Sequence, residues 1–189
     1  MNNIFKNAVQ ISKIICRAKL SPGDIAVDCT MGNGNDTVFL CSLVGEKGKV
    51  YAFDIQEEAV ITTRKRLQEL NLLARTEIVL DGHQNIDKYV KGNVGLVIFN
   101  LGYLPKGNHA ITTNKETTIE AVQRSMGLLK PNGIILIVVY SGHENGKLEK
   151  EALKNFTTTM HQKDYNVSEI CFPNQINSPP ELICIEKVD

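Results

Sequence analysis

Apolar positions along this chain follow two alternating patterns. Short runs rich in Val, Ile and Leu end in Asp or Asn, and each leads into a longer stretch with apolar residues three or four positions apart. The first run, residues 25–29, reads Ile-Ala-Val-Asp-Cys and is followed at once by Gly32-Asn33-Gly34. Comparable runs at 50–54, 76–80, 94–99, 134–140, 165–172 and 181–187 bring the predicted strands to seven. The run Val-Gly-Leu-Val-Ile-Phe at 94–99 has no polar alternation, which suits a strand buried on both faces.

Helical spacing fills most of the gaps. Residues 4–18 read as a leading helix closed by the Ser21-Pro22-Gly23-Asp24 turn. A second helix starts near Asn35 and Asp36, both good N-cap types, and stops at Gly45. A third has Ala59, Val60, Leu67 and Leu70 on its apolar side, with Arg64, Lys65 and Arg66 mostly outside. Thr113-Asn114-Lys115-Glu116 has the capping-box pattern, with Thr113 as the expected cap, ahead of Ile119, Val122, Met126 and Leu129. Leu148, Ala152, Phe156 and Met160 mark a last helix beginning near Gly146. Strand–helix alternation predicts an α/β fold, Rossmann-like, with a mostly parallel sheet and helices on both faces. The final two strands have no helix between them, so they should form an antiparallel C-terminal hairpin. No linker or repeat divides residues 1–189, which read as a single domain.

Composition narrows the class. The 189 residues are 42% hydrophobic and 22% charged, too apolar for a disordered chain. Twenty-one Lys+Arg against twenty-one Asp+Glu argue against a tail-driven nucleic-acid binder. Local cationic faces remain, at Arg64, Lys65 and Arg66 and at Lys147, Lys150 and Lys154. The five cysteines (Cys16, Cys29, Cys41, Cys171, Cys184) lie in apolar runs without a C-x-x-C pair, and are expected to be buried in a reducing compartment. With no signal-peptide pattern and no run of about 18 apolar residues, the expectation is a cytoplasmic protein without a membrane segment.

Candidate chemistry gathers at one end of the strands. Asp28, Asp54, Asp81 and Asn100 all fall at strand C-termini, where open α/β sheets bind their ligands. A dinucleotide fingerprint would place a third glycine where this chain has Thr37. An acid before the loop, Asp28, suits instead a ligand with a cationic end, such as S-adenosylmethionine. Asp54 can accept from both ribose hydroxyls or, more plainly, sit at the start of the helix from Gln56. Asp81 could receive the exocyclic amine of adenine, and His83 either stacks on the base or fills the pocket wall. Asn100-Leu101-Gly102-Tyr103 matches the first and last positions of the Asn-Pro-Pro-Tyr sequence of amino-methylating enzymes, but not its prolines. His143 and Glu149 could handle a substrate proton, or His143 could cap the helix beginning near Gly146. His109 and the Thr112-Thr113 pair could line the substrate entrance or cap a helix. No metal-ligand spacing appears.

Three motifs in order resemble a known family. They are Asp28–Thr37 (D-x-T-x-G-N-G-x-D-T), Asn100–Pro105 (N-L-G-Y-L-P) and Tyr140–Glu149 (Y-x-G-H-x-x-G-x-x-E). Together they look like the bacterial "putative rRNA methylase" family, whose characterised members are similar to the tRNA 5-(aminomethyl)-2-thiouridine methyltransferase. Asn35 stands where many relatives are expected to carry His. The resemblance implies the class I methyltransferase fold, S-adenosylmethionine as cofactor, tRNA as partner, and homodimers, which are reported in that family. It implies methyl transfer to the aminomethyl nitrogen of a wobble uridine. The expected cofactor-binding set is Asp28, Gly32, Asn33, Gly34, Asp36, Thr37, Asp54, Gln56, Asp81, His83 and Asn100. The expected catalytic set is Asn100, Tyr103 and His143. Alternatives are rRNA or a small-molecule amine as substrate, a nicotinamide-dependent oxidoreductase, and a non-catalytic S-adenosylmethionine-binding module.

Overall fold

A computed structural model describes residues 3–102 and 112–189. The elements run α1 (Ala8–Lys19), β1 (Ile25–Asp28), α2 (Asn35–Val44), β2 (Lys49–Asp54), α3 (Glu57–Glu69), β3 (Thr76–Leu80), α4 (Ile86–Tyr89), β4 (Val94–Asn100), α5 (Lys115–Leu128), β5 (Leu129–Val139), α6 (Glu144–Thr158), β6 (Tyr165–Ile170) and β7 (Glu181–Lys187). They build one seven-stranded sheet in the order β3-β2-β1-β4-β5-β7-β6. The first five strands are parallel to one another, and β7 pairs antiparallel with both β5 and β6. The predicted hairpin is therefore present, with β7 inserted between β5 and the edge strand β6.

The period of two along each strand sends alternate side chains to opposite faces, and this divides the core. Val27, Phe53, Val97, Phe99, Ile135 and Ile137 pack with Ile86, Ala121, Val122 and Leu153, which places α4, α5 and α6 on one face. Ala26, Val50, Leu96, Ile98 and Leu136 pack with Ile11, Leu40, Val44 and Leu67, which places α1, α2 and α3 on the other. β4 is buried at every position except Asn100, as its unbroken apolar run predicted.

Several boundaries differ from the reading of the sequence. α1 begins only at Ala8, where the Asn7 side chain accepts the Gln10 N–H. β5 begins earlier than expected: Leu129 pairs with Val94 before the ladder shifts, so Pro131-Asn132-Gly133 is an irregularity within the strand. Asn132 takes a φ of 58°, a conformation that Asn tolerates better than most residues. On α6 the buried face is Gly146, Glu149, Leu153 and Thr157, while Leu148 is exposed. Of the cysteines, Cys16, Cys29, Cys41 and Cys184 are buried as expected, but Cys171 is exposed beyond the end of β6.

Candidate active site at the switch point

The strand order reverses direction between β1 and β4, and the crevice between their C-terminal ends carries most of the predicted residues. Pairing of Asp28 with Ile98 and the Cys29 N–H to Ile98 carbonyl bond (2.9 Å) keep the two strands together to their ends. One residue on, the Asn100 N–H donates to Thr30 Oγ1 at 2.7 Å. The glycine loop is thereby stitched to the tip of β4.

Asp28 is fully buried beneath that loop. Its oxygens accept from Thr37 Oγ1 (2.7 Å) and from the Thr30 N–H (3.2 Å). Burial, and next the nearby Asp36, push its carboxyl up to about 7, against those two hydrogen bonds. Thr37 is equally buried. Both belong to the expected cofactor-binding set, and in this structure both brace the loop from below, where it closes over the end of β1.

Gly32 and Gly34 adopt φ of 48° and 74°, in the left-handed region where a side chain is strained. At Gly34 the close neighbour is protein: an added Cβ would lie 2.8 Å from Thr63 Oγ1 on α3. The same hydroxyl donates to the Gly32 carbonyl at 2.9 Å. Arg66 donates to the Asn33 carbonyl (3.1 Å) and to the Asn35 side chain, so it is half-buried against the loop where the sequence placed it outside. The α2 cap is Gly34 itself, without a side-chain bond; Asn35 and Asp36 lie inside the helix.

Asp54 ends β2 with both oxygens turned inward, accepting from Gly32 N–H and Gln56 N–H at 3.0 Å each. Burial raises its carboxyl, and the backbone hydrogen bonds oppose that. Gln56 is the N-cap residue of α3 and contributes its backbone rather than a side-chain cap. Asp81 accepts from Gly82 N–H, Asn85 Nδ2 and Tyr89 OH at 2.7, 2.9 and 2.9 Å. Burial works to raise this carboxyl, but the Asn85 and Tyr89 bonds prevail and hold it low. His83 is buried edge-on to Phe99 and donates from Nδ1 to the Cys29 carbonyl at 3.1 Å. It fills the pocket wall; burial lowers its pKa and favours the neutral ring.

Asn100 projects from β4 toward α2, and its Nδ2 donates to Asp36 Oδ2 at 2.6 Å. Lys13 of α1 lies 3.5 Å from the other Asp36 oxygen. Tyr103 and His109 lie outside the described residues. His143 caps α6, its Nδ1 accepting the Gly146 N–H at 3.0 Å, so that nitrogen cannot also take a substrate proton. Glu149 is buried and binds the hydroxyls of Thr113 (2.9 Å) and Thr118 (2.5 Å), joining α5 to α6. Thr113 is therefore not the α5 cap; Asn114 takes that place, accepting the Thr117 N–H at 3.0 Å. Thr113 Oγ1 instead accepts the Gly102 N–H at 3.0 Å, tying α5 to the tip of β4.

The α6 cations are less available than their sequence suggested. Lys150 pairs with Glu181 at 2.7 Å and Lys154 with Glu169 at 3.4 Å. With Lys147, Ser141 and Ser178 they line an open cleft of about 300 Å³ beyond β5. Among the described residues no group of three or more His, Cys, Asp or Glu could hold a metal ion, and no helix is long and apolar enough to cross a membrane.

Thr30, Thr63 and Lys13 were missed. Thr30 stands in the loop motif and was legible as a hydroxyl next to the strand end. Thr63 and Lys13 carry no local signal, since only tertiary packing brings them to the loop.

Known proteins of similar sequence and fold identify the family. A solved chain from Clostridium thermocellum, described as a "putative rRNA-methylase", is 49% identical, with a TM-score of 0.95, over 97% of this chain and 98% of that one. A "putative methyltransferase" from Streptococcus mutans, solved in complex with SAH, is 42% identical at a TM-score of 0.88, over 97% of this chain and 99% of that one. The curated "tRNA (mnm(5)s(2)U34)-methyltransferase, chloroplastic" of Arabidopsis thaliana is 35% identical over 185 residues; the match covers 93% of this chain and 66% of that protein's length. Residues 50–186 match the family described as "Putative rRNA methylase". That match runs from β2 to β7, more than half of the chain, and the fold is that of a methyltransferase, so the chain belongs to this family.

Proposed function

We propose that the protein is an S-adenosylmethionine-dependent methyltransferase that N-methylates the aminomethyl group of 5-aminomethyl-2-thiouridine at the tRNA wobble position. The observation that carries this reading is the Asn100 amide at the tip of β4, held on one side by Asp36. The 35% identity to a relative named for that wobble nucleoside points to the substrate.

The donor set fits the cofactor. Asp54 keeps lone pairs beyond the two backbone N–H groups it accepts, which suits a ribose diol. Asp81 keeps an acceptor position for an exocyclic amine. Gly32 and its loop would hold the remainder, with Asp28 and Thr37 fixing the loop from below. When bound, the cofactor supplies a methyl group activated by a sulfonium, a transfer for which no metal is required.

Asn100 is the amine-holding residue. A substrate N–H donated to its side-chain oxygen orients the nitrogen lone pair. Most of the rate gain expected from such a site is positional, from reacting atoms held about 3–3.5 Å apart. Tyr103, three residues along, is proposed to pack on the base. Neither the nicotinamide reading nor a purely binding role draws support from the family.

The test is nucleoside mass spectrometry of tRNA from cells lacking the gene. The expected result is accumulated 5-aminomethyl-2-thiouridine, converted to the methylated nucleoside by the purified protein and the cofactor. An unchanged tRNA profile with a methyl group missing from rRNA would refute the tRNA assignment. Activity retained in full by Asn100→Ala would refute the role given to that residue.

A further inference from the structure

We infer that Asp36, anchored by Lys13, is a positioning residue that sets which face of the Asn100 amide meets the substrate. This rests on the proposed amine-methylating function and adds a residue to it. Reading the loop motif placed Asp36 with the cofactor, yet in the structure its Oδ2 receives Asn100 Nδ2 at 2.6 Å, across 64 positions of sequence.

An ionised carboxylate only accepts, so the amide must turn its NH2 toward Asp36; the flipped amide would set oxygen against oxygen. The side-chain oxygen of Asn100 then points away from Asp36. Only that orientation offers an acceptor to an incoming amine N–H, whereas the other would present a second donor to it.

Asp36 is itself restrained. Lys13 lies 3.5 Å from Oδ1, leaving Oδ2 for the amide, and the two side chains are only 29% and 16% exposed. The carboxylate also stands in the first turn of α2, where a negative charge is favoured. The Asn100 backbone is held separately by Thr30 Oγ1 at 2.7 Å. Main chain and side chain of this residue are thus fixed by different partners, from the loop and from α2. Sub-ångström placement of this kind matters, because a misplacement of about 1 Å can cost about 100-fold in rate.

The test uses Asp36→Asn and Asp36→Ala with tRNA bearing 5-aminomethyl-2-thiouridine, at saturating cofactor. Asp36→Asn can present either donor or acceptor to Asn100 and so no longer selects one amide face. The expected result is a kcat lower by about 10- to 100-fold, with the cofactor Kd within about twofold and Tm little changed. In an Asn100→Ala background, Asp36→Asn should cost less than about twofold, because the partner through which it acts is gone. Lys13→Met should lower kcat in the same direction by a smaller factor.

A second measurement is independent of the substrate. The Asn100 side-chain NH2 pair, identified by its loss in Asn100→Asp, should shift in the 15N–1H spectrum of Asp36→Ala. An unshifted pair overturns the inference. So does an unaltered kcat in Asp36→Asn when the wild type is active, or a loss that persists in full in the Asn100→Ala background. A wild type inactive on that tRNA overturns the proposed substrate alone, and the amide signal still decides the role of Asp36.

Discussion

Replacing Asp28 by asparagine should stabilise the protein increasingly as pH rises. The carboxyl is fully buried and titrates near 7, against an ordinary value of 3.8, mainly through burial and secondarily through Asp36. Its folded pKa lies above its unfolded one, so the group is harmless below about pH 4 and costs stability as pH climbs through 7. At 1.36 kcal/mol per pH unit, the full cost above pH 7 is about 4 kcal/mol. About 3 kcal/mol of it develops between pH 4.5 and 8. The amide in Asp28→Asn would keep one acceptor for the Thr37 hydroxyl and set its NH2 against the Thr30 N–H, a loss that does not vary with pH. The diagnostic quantity is therefore the slope. Urea unfolding of wild type and Asp28→Asn at several pH values should give a stability difference that moves in the variant's favour by about 3 kcal/mol, or about 6–12 °C in Tm for a domain of this size. A difference that stays constant from pH 4.5 to 8 would refute the reasoning, and with it the raised pKa that burial gives Asp28. Cofactor affinity should fall in the same variant, since groups that shape a site are often kept at a cost in stability.

Other expectations follow from the same contacts. Gly34→Ala should destabilise by about 1–3 kcal/mol, because φ is 74° and the new methyl would sit 2.8 Å from Thr63 Oγ1; chemical denaturation measures this, and Thr63→Ala should recover the contact part only. Glu149→Ala should cost about 2–4 kcal/mol and detach the 112–114 segment from α6, as it leaves the buried Thr118 hydroxyl without its acceptor and opens a cavity; urea unfolding and proteolysis near residue 112 report both effects. Glu149→Gln keeps most of that stability, and relative to wild type it should gain as pH rises, because burial lifts the Glu149 carboxyl above its ordinary value. Under native conditions a maleimide should label one thiol per chain, Cys171, with the other four reacting only after unfolding; mass spectrometry of the labelled peptide decides it.

Much of the architecture was legible because the signals are local. A continuous apolar run such as 94–99 has few ways to satisfy its backbone other than a central strand, and β4 is that strand. The missing helix between residues 172 and 181 correctly implied an antiparallel end to the sheet. Gly45, with φ of 66°, ends α2 as its residue type announced. Caps were less legible. Thr113 and Asn114 are both good cap types one position apart, and Glu149, remote in sequence, claims the Thr113 hydroxyl and leaves the cap to Asn114.

The amino-acid sequence by itself determined the number of strands, their mostly parallel pairing with an antiparallel end, and the concentration of Asp28, Asp54, Asp81 and Asn100 at strand C-termini. Period and strand-end chemistry depend only on neighbours in the chain. Which of those groups are buried and which protein groups they bind was decided by the tertiary structure. Asp28 and Thr37 turn under the loop, His83 is buried against Phe99, and Asp36 grips Asn100, because burial and hydrogen-bond partners are set by residues 9 to 70 positions apart. A carboxylate in a motif reads alike whether it meets water, a ligand or a buried threonine, and only packing tells these apart.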